Sequence, residues 1–148
     1  MIHMEDISTA SQYEFSWPVR VYYEDTDSGG VVYYANYLKF FERARTECLR
    51  RWGYEQDILR EESGILFAVS NLTISYDKPA VFNDELEIKT SILKLGRASI
   101  LFDQEIVRSD NGEHLCKAQV KIACLNAERF SAQAIPEEII NKIKKIIA

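Results

Sequence analysis

Two carboxylates one residue apart, Asp25 and Asp27, stand just before a glycine pair, Gly29-Gly30. A carboxylate of this kind can attack an acyl carbon or take a proton from water. Paired glycines let backbone amides approach an oxygen that is gaining negative charge. Two other readings fit the same residues. Asp25-x-Asp27 after a strand also suits magnesium-dependent phosphoryl transfer through an aspartyl-phosphate, and Asp beside Gly is ordinary turn composition. The residues beyond the glycines predict a helix entrance rather than a hairpin. From Asn36 the apolar residues Tyr37, Phe41, Ala44, Cys48 and Trp52 recur on one helical face, which predicts a helix over 36–52. Asn36 is the expected N-cap and Gly53 the expected residue beyond the end, with Arg50 and Arg51 suited to the negative end of the dipole. An acid facing the amides of a helix start supplies both an attacking group and a site for an oxyanion.

The other elements must hold that stretch in place. Phe15, Trp17, Val19, Val21 and Tyr23 alternate with other residues and predict a strand, with Pro18 pointing to an edge or a strand start. A short helix is expected near 57–62. Four more strands come after it, at about 66–76, 84–94, 98–109 and 113–126, with tight connections at Leu95-Gly96 and Asp110-Asn111-Gly112. These four read as an antiparallel meander. At the C-terminus, Pro136 and Glu137 open a helix with an isoleucine stripe, Ile139, Ile140, Ile143, Ile146 and Ile147. Docking on the domain or on a partner subunit is favoured over lying on a membrane surface. One strand, one long helix and then strands without intervening helices exclude a doubly wound sheet. The expected class is α+β, a curved antiparallel sheet packed around the 36–52 helix.

Length and composition set outer bounds. The chain has 148 residues, 47% of them apolar and 28% charged, as expected for one globular domain over 14–148 preceded by a loose segment at 1–13. A formal charge of -5 argues against nucleic-acid binding. The three cysteines, Cys48, Cys116 and Cys124, are widely spaced in apolar patterns and read as buried thiols in a reducing compartment, with cytoplasm as the default. His3 and His114 are isolated in sequence, so no metal site is expected. No run reaches membrane-spanning length.

The run Tyr23 to Tyr37, YEDTDSGGVVYYANY, continued by Phe40-Phe41-Glu42-Arg43-Ala44-Arg45-Thr46-Glu47, is long and specific. It resembles the hot-dog-fold acyl-CoA thioesterases of the 4-hydroxybenzoyl-CoA thioesterase family, in their Tol-Pal-associated branch. The resemblance covers about residues 15–127 and implies a sheet wrapped around the central helix, with subunits joined as homodimers or homotetramers. It implies hydrolysis of acyl-CoA thioesters, without a cofactor, and Asp27 as the catalytic carboxylate. The implied carbonyl activators are backbone amides around Gly30, Val31 and Tyr34. Many members of that branch carry His where this chain has Tyr34, which bears on acyl preference.

Of the remaining candidates, Asp25 is expected to brace the loop through backbone amides. Glu42, among Arg43, Arg45 and Glu47, is expected in an ion pair or an interface. Tyr33 and Tyr37 are expected in the core. Coenzyme A carries phosphate charge and needs cations. Lys94, Arg97 and Ser99 around the Gly96 turn are the candidates, and the resemblance places nucleotide contacts near this turn. Acyl carrier protein is an alternative carrier of the acyl group. Beside the phosphoryl-transfer reading stands one further rival, a non-catalytic module on the same scaffold that binds acyl-CoA or acyl carrier protein.

Overall fold

The computed structural model describes residues 13–148. The expected loose segment lies outside the described residues except for Tyr13, whose hydroxyl accepts a 3.0 Å hydrogen bond from Trp52 Nε1. The chain runs β1 (Phe15–Arg20), α1 (Asn36–Arg51), a short α2 (Gln56–Ile58) continued by a wider turn at Leu59–Ser63, β2 (Ile65–Tyr76), β3 (Glu85–Leu95), β4 (Ser99–Arg108), β5 (His114–Asn126) and α3 (Glu137–Ile147). The strands form one sheet in the order β1-β3-β4-β5-β2, every neighbouring pair antiparallel. This is the α+β hot-dog arrangement expected from the sequence.

Alternation along the strands explains how the sheet holds the helix. Leu86, Ile88, Thr90 and Ile92 of β3, Ile100, Phe102, Gln104 and Ile106 of β4, and Cys116, Ala118, Val120 and Ile122 of β5 are buried. Phe40, Phe41, Ala44 and Cys48 of α1 are buried in the same core. Each large side chain so placed contributes roughly 2 kcal/mol of apolar burial. A polar staple fixes the helix within this apolar contact. Gln104 Nε2 donates to Thr90 Oγ1 at 2.9 Å and to the Phe41 carbonyl at 3.1 Å, while its Oε1 accepts Arg45 Nη1 at 3.0 Å. Burial lowers the Arg45 pKa to about 10. In α3, Ile139, Ile143 and Ile147 are buried in the shared core, so its stripe docks on the sheet and helix.

Two predicted features differ. The first strand ends at Arg20, not Tyr23, because Tyr23–Asp25 wind into a 3-10 turn. The meander is confined to β3-β4-β5. β2 pairs with β5 at the opposite edge from β1. No two-residue turn links β2 to β3. Instead residues 77–84, including Pro79, cross the ends of β5 and β4 as a strap. Asp77 N and Lys78 N both donate to the Leu115 carbonyl, and Arg108 Nη2 donates to the Pro79 carbonyl at 3.0 Å. Antiparallel strands tolerate this detour, since β2 still runs opposite to β5.

Candidate active site

The acidic stretch folds as a small hairpin that delivers the chain to α1. Asp27 N donates to the Val31 carbonyl at 2.9 Å, Gly30 N donates to the Asp27 carbonyl at 3.0 Å, and Thr26 pairs with Val32. Gly30 has φ +83, the left-handed conformation that closes a three-residue loop with a bulge. Asp27 is exposed, and its Oδ1 accepts the Gly29 amide at 2.8 Å. A Cβ on Gly29 would lie 3.2 Å from that oxygen, so glycine lets the backbone close on the carboxylate.

Asp25 does what was expected of it: its Oδ2 accepts the Tyr22 amide at 2.9 Å and braces the 3-10 turn. Asn36 does not cap the helix. Ala35 occupies the cap position, and buried Asn36 donates from Nδ2 to the Asp25 carbonyl at 2.9 Å. Together with Tyr33 N donating to the same carbonyl, this ties the helix start to the acidic hairpin.

Gly30 was expected among the amides that meet a carbonyl oxygen, but its N–H is taken by Asp27 within the turn. Among the described residues, the amides of Val31, Tyr34 and Ala35 donate no hydrogen bond. The first turn of α1 carries no acidic side chain to neutralise the positive end of its dipole. Beside that turn lies a pocket of about 210 Å³ formed by Val32, Tyr34, Tyr37, Tyr76 and the strap residues Asp77 to Pro79. Tyr76 packs edge-on against Tyr34 and Tyr37 at 6.1 and 5.6 Å between ring centres. Tyr37 is core, as predicted, and its hydroxyl accepts the Ala80 amide at 3.0 Å. Tyr33 is not core: 46% of it is exposed.

The other candidates separate by position. Glu42 accepts a hydrogen bond from Thr46 one turn along α1 and forms no ion pair among the described residues. Burial raises the pKa of the Cys48 and Cys116 thiols to about 12 and of Cys124 to about 11, which removes them as nucleophiles. Asp25 and Asp27 point their bonded oxygens at different amides. No group of three or more His, Cys, Asp or Glu among the described residues is arranged to hold a metal.

Lys94, Arg97 and Ser99 lie at the opposite end of β3 from the acidic hairpin. Arg20 at the hairpin end pairs with Glu85, whereas the Gly96 turn comes after Leu95. At about 3.3 Å per residue, β3 separates the two by roughly 30 Å. Within one chain these groups therefore do not meet. Arg97 instead borders an apolar cleft of about 580 Å³ between the Gly96 turn and α3, with Lys144 on its rim. It is the larger cavity, but it is remote from Asp27.

Sequence reading missed the strap and Tyr76 as parts of the site. The signal available was length: the eight residues 77–84, DKPAVFND, are too many for a two-residue turn between β2 and β3.

The profile of the Thioesterase superfamily matches residues 29–114, beginning two residues after Asp27. The chain is 48% identical to the acyl-CoA thioesterase YbgC of Haemophilus influenzae over 84% of this chain and 90% of that protein. It is 44% identical to the acyl-CoA thioester hydrolase YbgC of an Escherichia coli O6:H1 strain, over 88% of this chain and 96% of the relative. Among solved structures, the gentisyl-coenzyme A thioesterase BH1999 superposes with a TM-score of 0.77 at 26% identity, covering 84% of this chain and 98% of that one. Identity at this level over nearly the whole length of both curated relatives goes beyond a shared fold: the chain belongs to the thioesterase superfamily, as an acyl-CoA thioesterase of the YbgC-like branch.

Proposed function

We propose that Asp27 is the catalytic carboxylate of this thioesterase and that the amides of Val31 and Tyr34 receive the thioester carbonyl oxygen. One observation carries the reading: the Asp27 carboxylate sits in a hairpin that is hydrogen-bonded to the start of a helix whose leading amides are unoccupied. Developing negative charge on the carbonyl oxygen is stabilised by those amides and the helix dipole, each such donor contributing about 3 kcal/mol. Asp27 either attacks the carbonyl carbon, expelling the CoA thiolate and leaving a mixed anhydride for water to open, or draws a proton from the water that attacks. Both routes end in free acid and CoA. The acyl group occupies the pocket of Tyr34, Tyr37 and Tyr76, where tyrosine at position 34 sets the shape of the wall.

The cations for the CoA phosphates come, in this reading, from a second copy. The β2 edge is unpaired in the single chain and exposes Val69, Leu72 and Tyr76. An unpaired apolar edge favours pairing with another strand. Antiparallel pairing of β2 with its copy sets the Tyr76 end of one beside the Ile65 end of the other. That brings the Lys94, Arg97 and Ser99 turn of one copy toward the acidic hairpin of its mate. The assembly is a homodimer or a pair of dimers, and the three buried free thiols suit a reducing compartment such as the cytoplasm.

A panel of short, long and aromatic acyl-CoA substrates tests the reading, with CoA release followed by a thiol reagent in the presence of EDTA. Turnover that ignores EDTA is the expected result. Binding of every acyl-CoA without thiol release would make the protein a binding module, and magnesium-dependent release of phosphate from phosphate esters would move Asp25 and Asp27 to phosphoryl transfer.

A further inference from the structure

The strap that closes the acyl pocket is held by a set of charges outside the catalytic hairpin. His114, at the start of β5, lies between two carboxylates: Nε2 is 2.6 Å from Asp77 Oδ2 on the strap, and Nδ1 is 2.6 Å from Glu105 Oε2 on β4. Neutral imidazole has one N–H and can donate to one of these partners. Only imidazolium donates to both. Next along the strap, Lys78 pairs with Glu113 at 2.9 Å. Glu113 also meets Arg108, which pairs with Asp84 at 3.1 Å and bonds the Pro79 carbonyl. Asp77, Lys78 and Pro79 are pocket wall, and the Ala80 carbonyl just beyond them accepts Val32 N from the hairpin.

We propose that His114, bridged between Asp77 and Glu105, is a positioning residue for acyl-thioester binding that fixes the strap as one wall of the pocket. The proposal rests on that pocket being the acyl site. Hydrogen bonds donated to Asp77 and then to Glu105 raise the His114 pKa above its ordinary value. A group with a raised pKa stabilises its bonded state below that pKa and loses the effect as pH rises through it. Other charges facing the bridge are Lys78 on the strap, Arg108 on β4 and Glu113 just before β5. Lys89 and Lys117 flank Glu105 in the sheet register. Cys116, with its thiol raised to about 12, stays neutral.

The test measures kcat, KM and the Kd of a non-hydrolysable thioether analogue of an acyl-CoA from pH 6 to 9.5, for the parent and His114→Gln. Glutamine offers its donors from a single neutral nitrogen and so cannot replace a cation that donates from two. At pH 7 the variant should raise KM and analogue Kd roughly fivefold while kcat stays within about twofold. In the parent, KM and Kd should climb toward the variant's values as pH rises, and in the variant this climb should be absent. If His114→Gln lowers the folded fraction, Glu105→Gln, on β4 and outside the pocket wall, gives the same split through the other side of the bridge. Equal KM and Kd in parent and variants, a kcat loss as large as the KM change, or a parent Kd flat across the range overturns the role. An analogue that binds with the expected pH dependence to a parent that hydrolyses nothing would refute the catalytic reading and leave this one standing. No analogue binding by the parent would remove both.

Discussion

Asp27 and Gly29 act as one unit at the scale of single residues. The amide of Gly29 orients the carboxylate, and the missing Cβ allows that approach. Gly29→Ala places a carbon 3.2 Å from Asp27 Oδ1, so the carboxylate must shift by a few tenths of an ångström. The expected result is a kcat about tenfold lower with unfolding by denaturant little changed, because misplacement of a reacting group is felt mainly in the rate. Steady-state kinetics beside a urea titration checks it. Asp27 was legible as a candidate because an acid before paired glycines and a helix period is a compact local pattern. The true duty of Asn36 was not legible. Its bond to the Asp25 carbonyl depends on a fold-back of the chain that no local pattern encodes. His114 was hidden for the same reason, since its partners come from the strap and from β4.

The helix and the strands were readable as elements, because their apolar periods directly reflect which face is buried. The place of β2 was not. The apolar run at about 66–76 reads as a strand, yet pairing with β5 is decided by where the strap leads the chain. The element that positions the site is α1, and its register on the sheet depends on Gln104. Replacing Gln104 with Leu leaves Arg45 Nη1, Thr90 Oγ1 and the Phe41 carbonyl without this partner in a buried setting. A loss of roughly 2 to 4 kcal/mol in unfolding free energy is expected, measured by chemical denaturation. A change below about 0.5 kcal/mol would mean that α1 is held by apolar packing alone.

At the scale of the whole molecule, one chain keeps the acid and the candidate cations apart. Asp27 and the helix start belong to one end of the sheet, whereas Arg97 and its cleft belong to the other. Sequence proximity to a turn could nominate candidate cations but not show the distance along β3 that separates them from the acid. Arg97→Ala should raise KM several-fold for CoA thioesters and leave KM unchanged for short thioesters lacking the nucleotide. Equal effects on both would remove the phosphate contact. The central claim concerns Asp27, and Asp27→Asn tests it most directly because the amide keeps the size of the side chain and an acceptor for Gly29. The decisive measurement is kcat/KM for a good acyl-CoA substrate, made on a preparation whose circular dichroism and solution mass match the parent. A fall of at least about a hundredfold is the predicted result, and an unchanged kcat/KM in a folded variant of parental mass would contradict the account.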